Sequence, residues 1–359
     1  MEDMRVRPFP GVVLCLAAVL SFQDAPALNA QDTSVPNAQN APAPAAAAPG
    51  DGQYTLKAGA KIVLVPATVE VKGKVLYGLK PEDFVVEDNG VPHKITMDED
   101  TDSLGLSLVV LLQCSRSAVM EYSKIDQLPQ MIDALVGGAP KEIALVRYGD
   151  HPELVQPFSR DMDVVASSMA KMGPCESNNA ATLDAVSYGA SILANRRDRY
   201  RRVILLISET RDHGSTVKEG HVIEQLGKTN TVVDAVAFSP VGSDSYRSLT
   251  TFTPGSYGVF GLLFSAVQAL RQNVPKTLAH LSGGEYINFL TKKGFENGLL
   301  DLTNHVHNYY LLSFAIPQNA PDGLHSISVK IPAYPNALIH SRENYWAGEV
   351  HAPDTTNVK

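Results

Sequence analysis

The stretch that decides the fold is Leu106-Ser107-Leu108-Val109-Val110-Leu111-Leu112-Gln113-Cys114-Ser115-Arg116-Ser117-Ala118. Residues 106–112 form a nearly continuous apolar run rich in Val and Leu, which suits a strand buried on both faces of a parallel sheet. The run breaks off into a small polar loop, 113–117. In open α/β sheets, ligands bind in the crevice beyond the carboxyl ends of the strands.

Outward from that strand, strand and helix signals alternate to about residue 307, as in a doubly wound α/β layer structure with a mostly parallel sheet. The pattern predicts a helix over 119–136, where Met120, Ile125, Leu128, Ile132 and Leu135 fall close to one face. Strands follow at 142–148 and 153–158, joined by Gly149-Asp150-His151-Pro152. Helices are expected at 161–172, 183–194, 217–226 and 260–281, the last stopped by Ser282-Gly283-Gly284. Strands at 203–207, 231–238 and 286–289 and a helix at 295–307 complete the segment.

Both flanks are β-patterned. Residues 54–100 predict strands at 62–65, 68–71 and 75–79, with a tight turn at Lys72-Gly73-Lys74. Asn89-Gly90 is a hairpin signal, because it supplies the positive φ angles of a two-residue turn, and 91–95 is its return strand. Residues 309–347 predict strands at 309–315, 326–331 and 338–340, with turns at Asp322-Gly323 and Pro335-Asn336. Each flank alone is too small for a stable core. The economical arrangement is one small β-sandwich formed by the N- and C-terminal flanks, with the α/β domain, 104–308, inserted between them.

The ends read differently. Arg5 and Arg7 precede an apolar core at 11–22, and small residues follow at Ala25-Pro26-Ala27 or up to Ala30, so 1–30 is expected to be a cleaved signal peptide. That core is shorter than the roughly 20 residues a membrane span needs. Residues 31–53, rich in Ala, Pro, Asn and Gln, and the tail 348–359 are expected to be disordered. The expected product is exported, periplasmic or extracellular, with no membrane span. With 359 residues and 44% hydrophobic content, it can bury a sizeable core. A net charge of −8 argues against nucleic acid as the main partner. Of three cysteines, Cys15 lies in the leader, leaving Cys114 and Cys175. An even number in an oxidising compartment suits one disulfide.

Five elements, in order, carry a resemblance. The loop after the first α/β strand is similar to an Asp-x-Ser-x-Ser pattern, with Ser115 and Ser117 matching and Gln113 at the aspartate position. The segment 79–90, with Asp83-Phe84 and Glu87-Asp88-x-Gly90, resembles an N-terminal signature. Residues 207–215 line up with Ser-Asp-Gly-x-Asp-x-Gly-Ser, and Leu281-Ser282-Gly283-Gly284 with a Thr-Gly-Gly element. Asp322-Gly323 with 327–331, and Ser341-Arg342-Glu343-Asn344-Tyr345, resemble a C-terminal end. Together, over 62–346, the chain resembles exported acidobacterial proteins carrying a von Willebrand factor A-related domain.

The resemblance implies a metal-ion-dependent adhesion site at the top of the sheet, where Mg²⁺ would be held by carboxylates, hydroxyls and waters. Position by position that site is degenerate. Gln113 replaces the first aspartate, Ala180 stands at the threonine position, and Glu209 at the second aspartate. A two-residue shift would give Thr182 the threonine role but lose the alignment of Asp184-Ala185. The same resemblance places Cys114 and Cys175 in neighbouring loops, where they would form a disulfide bracing the site. The alternative is a small buried Cys114 and an incidental loop thiol at Cys175.

Other features point less sharply. The basic run 196–202 suits a solvated helix end. His93, His151, His213, His221, His280, His305 and His307 lack the spacing of a helical metal pair. No G-x-S-x-G surrounds Ser115 or Ser117, and Gly137-Gly138 lacks a following G-K-[ST]. The segment 239–262, with Tyr246, Phe252, Tyr257 and Phe260, is either a recognition loop or a cover. The resulting expectation is an exported, non-enzymatic interaction module whose partner is a protein or cell-surface ligand, with no cofactor. One alternative retains Mg²⁺ on Ser115, Ser117 and Glu209 and binds an acidic partner. Another is a hydrolase using the polar crevice.

Overall fold

The computed structural model describes residues 61–98, 105–196, 200–238 and 258–348, without the side chains of 258–260 and 305–307. The expected leader, linker and tail, and most of the segment 239–262, lie outside the described residues.

In chain order, the first flank holds β1 (Ile62–Val71), β2 (Lys74–Val75), β3 (Val85–Asp88), β4 (Val91–His93) and β5 (Thr96–Asp98). The middle of the chain holds β6 (Leu106–Gln113), α1 (Leu128–Val136), β7 (Lys141–Tyr148), β8 (Pro152–Ser159), α2 (Met162–Met169) and α3 (Thr182–Ala194). It continues with β9 (Arg201–Glu209), α4 (Glu219–Thr229), β10 (Val232–Phe238), α5 (Gly258–Gln272), α6 (Val274–Ser282), β11 (Tyr286–Phe289) and α7 (Lys292–His307). The second flank holds β12 (Tyr310–Ala315), β13 (Gly323–Lys330), β14 (Leu338–Ser341) and β15 (Asn344–Ala347).

The apolar run becomes β6, buried at every position. Its side chains alternate between two cores, as the period of a strand requires. Val109 and Leu111 join Leu183 and Val186 of α3, Leu226 of α4 and Leu278 of α6. Leu108, Val110 and Leu112 face Ile132 of α1, Val165 of α2 and Leu299 of α7. The strand order is β11-β10-β9-β6-β7-β8. All neighbours are parallel except β7 and β8, which form an antiparallel hairpin. From β6 the chain moves out to β7 and β8, then returns to β9 on the other side of β6. The winding therefore reverses between β6 and β9, and their carboxyl ends flank the crevice where such sheets bind ligands.

The flanks build two sheets, β14-β1-β12-β5 with β2 against β1, and β15-β13-β3-β4. Both contribute to one apolar cluster, including Val65 of β1, Val86 of β3, Phe314 of β12 and Tyr345 of β15. The Asn89-Gly90 turn has φ of 48° and 84°, the geometry its sequence demanded.

Several expected elements differ, and proline explains most of them. The helix expected over 119–136 is a 3-10 stretch, Arg116–Glu121, followed by turns and then α1. Pro129 lies in the first turn of α1, where a missing N–H costs nothing, whereas mid-helix its ring would clash. The helix expected over 260–281 likewise divides into α5 and α6, because Pro275 starts a new first turn capped by the Asn273 side chain on the Lys276 N–H. The strands expected at 62–65 and 68–71 are the single strand β1. Pro66 is accommodated there because β14 pairs only from Ala67 onward, so its edge needs no donor. The strand expected at 75–79 is only the short β2. β15 was not expected, since four residues show too little alternation to stand out.

Arg342, between β14 and β15, joins the second flank to the α/β segment. It is 2% exposed, with no carboxylate among its hydrogen-bond partners. Nη1 donates to Asn230 Oδ1 at 2.8 Å and Nη2 to Gly227 O at 3.3 Å. Gly227 is in the last turn of α4 and Asn230 is its left-handed cap, so the cation sits where the helix dipole is negative. Burial lowers the guanidinium to about 10, leaving it charged at neutral pH. Gly227 is required here, because a Cβ would lie 2.8 Å from that of Trp346.

Candidate functional site: the crevice between β6 and β9

Gln113 ends β6 and Glu209 ends β9, on either side of the switch point. The Gln113 side chain is fully buried. Its Oε1 accepts the Glu209 N–H at 2.8 Å, which settles the orientation of the amide. Its Nε2 then faces the loop and donates to Ser115 Oγ at 2.8 Å and Ser117 Oγ at 2.9 Å. The two hydroxyls lie 3.1 Å apart. One neutral amide thus gathers both serines and ties them to the neighbouring strand. Ser115 is buried, while Ser117 is exposed at the mouth.

A second loop closes over the first. A disulfide joins Cys114 to Cys175, and Cys175 N donates to Cys114 O at 2.7 Å. Arg116 N donates to Ser177 O at 2.9 Å, and the Arg116 guanidinium meets Glu176 Oε2 at 2.9 Å in solvent. Tyr122 OH, between Gln113 O and Gly173 O, is pushed up to about 12 by burial and remains a donor. Gly149 is the close approach that lets the β7–β8 turn abut this loop, since a Cβ would sit 2.4 Å from Ser177.

Ala180 meets the crevice through its backbone, exchanging hydrogen bonds with His213 at 3.0 and 2.8 Å. Its methyl offers no ligand. Thr182 Oγ1 donates to Ala180 O at 3.3 Å and lies 3.4 Å from Tyr148 OH, so its hydroxyl is engaged away from the serines. The Glu209 carboxylate stands 3.6 Å from His213 Nε2. Among the described residues, neither serine hydroxyl pairs with an imidazole.

Sequence reasoning missed Asp212 and Ser215 as the caps of α3. Asp212 Oδ1 accepts the Leu183 N–H and the Ser215 hydroxyl, and Ser215 Oγ accepts the Asp184 N–H. Asp184 reciprocates by accepting the Thr216 and Val217 N–H groups. The signal was present in the Asp-x-x-Ser spacing, but the helix it caps lies far back in sequence. Asp212→Ala is expected to lower stability by about 1–2 kcal/mol in chemical denaturation, and an unchanged midpoint would refute the capping role.

These residues do not fit a divalent ion. The Gln113 amide presents N–H groups, not an oxygen, to both serine hydroxyls, and its oxygen is committed to a backbone N–H. Glu209 is the one carboxylate among Gln113, Ser115, Ser117, Ala180 and Glu209, whereas Mg²⁺ requires near-octahedral oxygen ligation. Among the described residues, no three of His, Cys, Asp and Glu converge as a metal would need. The arginines described in the basic run are tied internally. Arg196 pairs with Glu142, Arg201 lies over Tyr309, and Arg202 donates to Thr229 O.

No protein-family model matches the chain, and no curated protein matches it. Solved structures with a similar arrangement include BatB from Bacteroides thetaiotaomicron, 14% identical over 56% of this chain and 100% of that one, with a TM-score of 0.38. A mussel byssus protein, proximal thread matrix protein 1 with a zinc-occupied MIDAS motif, is 12% identical over 62% of this chain and 50% of its own, with a TM-score of 0.42. The VWA domain of SpRpn10 is 14% identical over 54% and 94%, with a TM-score of 0.35. These scores are low, and the fold rests on the strand order itself.

Proposed function

We propose that this chain is an exported, non-enzymatic interaction module. In this reading, a von Willebrand factor A-like α/β domain is inserted in a β-sandwich made by its flanks. It binds a protein or cell-surface ligand at the β6–β9 crevice, without a divalent ion. The observation that carries the reading is the Gln113 amide, which holds Ser115, Ser117 and the Glu209 backbone together at the switch point. Around it the surface mixes polar and apolar groups, as interfaces do. Arg116 and Arg211 are exposed there, and Met120, 77% exposed, sets an apolar side chain beside them.

Calorimetric titration of Mg²⁺ and Mn²⁺ into the purified protein is expected to give no binding heat. Micromolar binding abolished by Glu209→Ala would overturn the ion-free reading in favour of the metal-dependent one. Immobilised protein is then offered cell-surface extract in EDTA. A ligand retained by the parent and lost with Met120→Asp supports the crevice as the interface, whereas retention by both refutes it.

A further inference from the structure

Three separated stretches of sequence, around Asp88, His325 and Tyr345, meet in the sheet β15-β13-β3-β4. Asp88 and His325 are 237 positions apart and both buried. His325 Nε2 lies 2.6 Å from Pro321 O, so this nitrogen carries hydrogen in either charge state. Nδ1 lies 2.9 Å from Asp88 Oδ1, an acceptor, 3.0 Å from Asn89 Nδ2, a donor, and 3.2 Å from the Tyr345 hydroxyl, whose proton is shared with Asp88 Oδ2. The Asn89 amide cannot turn round, because its Oδ1 accepts the Ser326 N–H at 3.1 Å. A single nitrogen therefore faces an acceptor on one side and donors on the other, and cannot satisfy both sides at once.

We propose that His325 is a proton-operated clasp between the two flanks. With a proton on Nδ1, the imidazolium pairs with Asp88. Without it, the lone pair accepts the Asn89 amide, and Asp88 keeps the Tyr345 hydroxyl, which donates to its Oδ2 at 2.7 Å. Of the other groups around the cluster, His93 Nε2 stands 3.8 Å from Asp88 Oδ2. Glu87 turns away to Ser328 and Lys330. The Tyr345 phenol is raised by burial and by Asp88, so it stays a donor throughout.

Burial pulls His325 down, but the Asp88 hydrogen bond, the Pro321 carbonyl and the Asp88 charge outweigh it, leaving the imidazole above its ordinary 6.5. The folded chain therefore holds a proton that the unfolded chain has released. The clasp is fully effective below pH 6.5 and weakens as pH rises through the folded value. Within that window, the equilibrium for opening the flanks grows up to tenfold per pH unit.

The test is ¹⁵N NMR of the histidine rings of the whole protein across pH 5–9. For His325, Nδ1 is expected to lose its proton at a pH above 6.5 while Nε2 keeps its own on both sides of the transition. Asn89→Gly keeps the positive φ of the turn but removes the donor to the neutral ring, so the transition should rise by roughly half a pH unit. Asp88→Asn should move it below 6.5 if that variant folds. A parent transition below 6.5, loss of the Nε2 proton, or no response to Asn89→Gly would each overturn the clasp.

Discussion

Cys175→Ser is expected to unfold with a free energy about 4 kcal/mol below the parent, the scale that chain-entropy models give for a loop of this length. The two cysteines are 61 positions apart, so the bond removes much of the freedom of the unfolded chain. Little in the folded state should compensate. The loop 173–177 is held otherwise by a few backbone bonds, by the Tyr122 hydroxyl on Gly173 O at 3.3 Å and by the exposed Arg116–Glu176 pair, and exposed pairs contribute at most about 1 kcal/mol. Urea titrations of parent and variant, each with and without dithiothreitol, provide the check. The reduced parent should fall onto the variant, and the variant should ignore the reductant. A difference under about 1 kcal/mol would mean that the loop is fastened by its hydrogen bonds and that the entropic account fails.

Arg342→Ala is expected to cost about 3–5 kcal/mol. The truncation leaves Asn230 Oδ1 and the carbonyls of Gly227, Leu64 and Asn344 without their donor in a place water barely reaches, and it opens a void. Arg342→Lys should recover little, since one ammonium cannot reach acceptors spread around a planar fork. Arg342→Met separates the contributions, because it restores packing but no donors. Thermal denaturation of the three variants would show the ranking. A lysine variant as stable as the parent would remove the geometric argument.

The α/β alternation was legible because β6 and β9 carry long apolar runs, 108–112 and 203–207, and amphipathic helices lie between them. The exact helices were not. The apolar period continues smoothly across Pro129 and Pro275, and the expectation followed the period where the proline ring prevailed. At the crevice, the substitution at Gln113 could be read from its position in the chain, but its consequence could not. An amide donating to both serines depends on the backbone of Glu209 being next to it, and that adjacency is created by strand order. Arg342 was visible only as part of a short motif. Nothing local says that it is buried against the end of a helix over a hundred residues earlier, at an Asn230 separated from it by 112 positions. His325 went unremarked for the same reason, since its partner is 237 positions away.

The flank arrangement also sets an order of events for a chain made from its N-terminus. When β1 and β3 leave the ribosome, the strands that will pair with them, β12 and β13, do not yet exist. The α/β segment between them pairs its strands within itself and can fold first. Throughout that interval β1, beyond its short pairing with β2, is an apolar ribbon with open edges, the kind of segment that associates with the wrong chain. Completion of the flanks is therefore a late closure, in which β12 and β13 capture β1 and β3. A cell that makes it must keep that early ribbon apart from its siblings until β12 emerges.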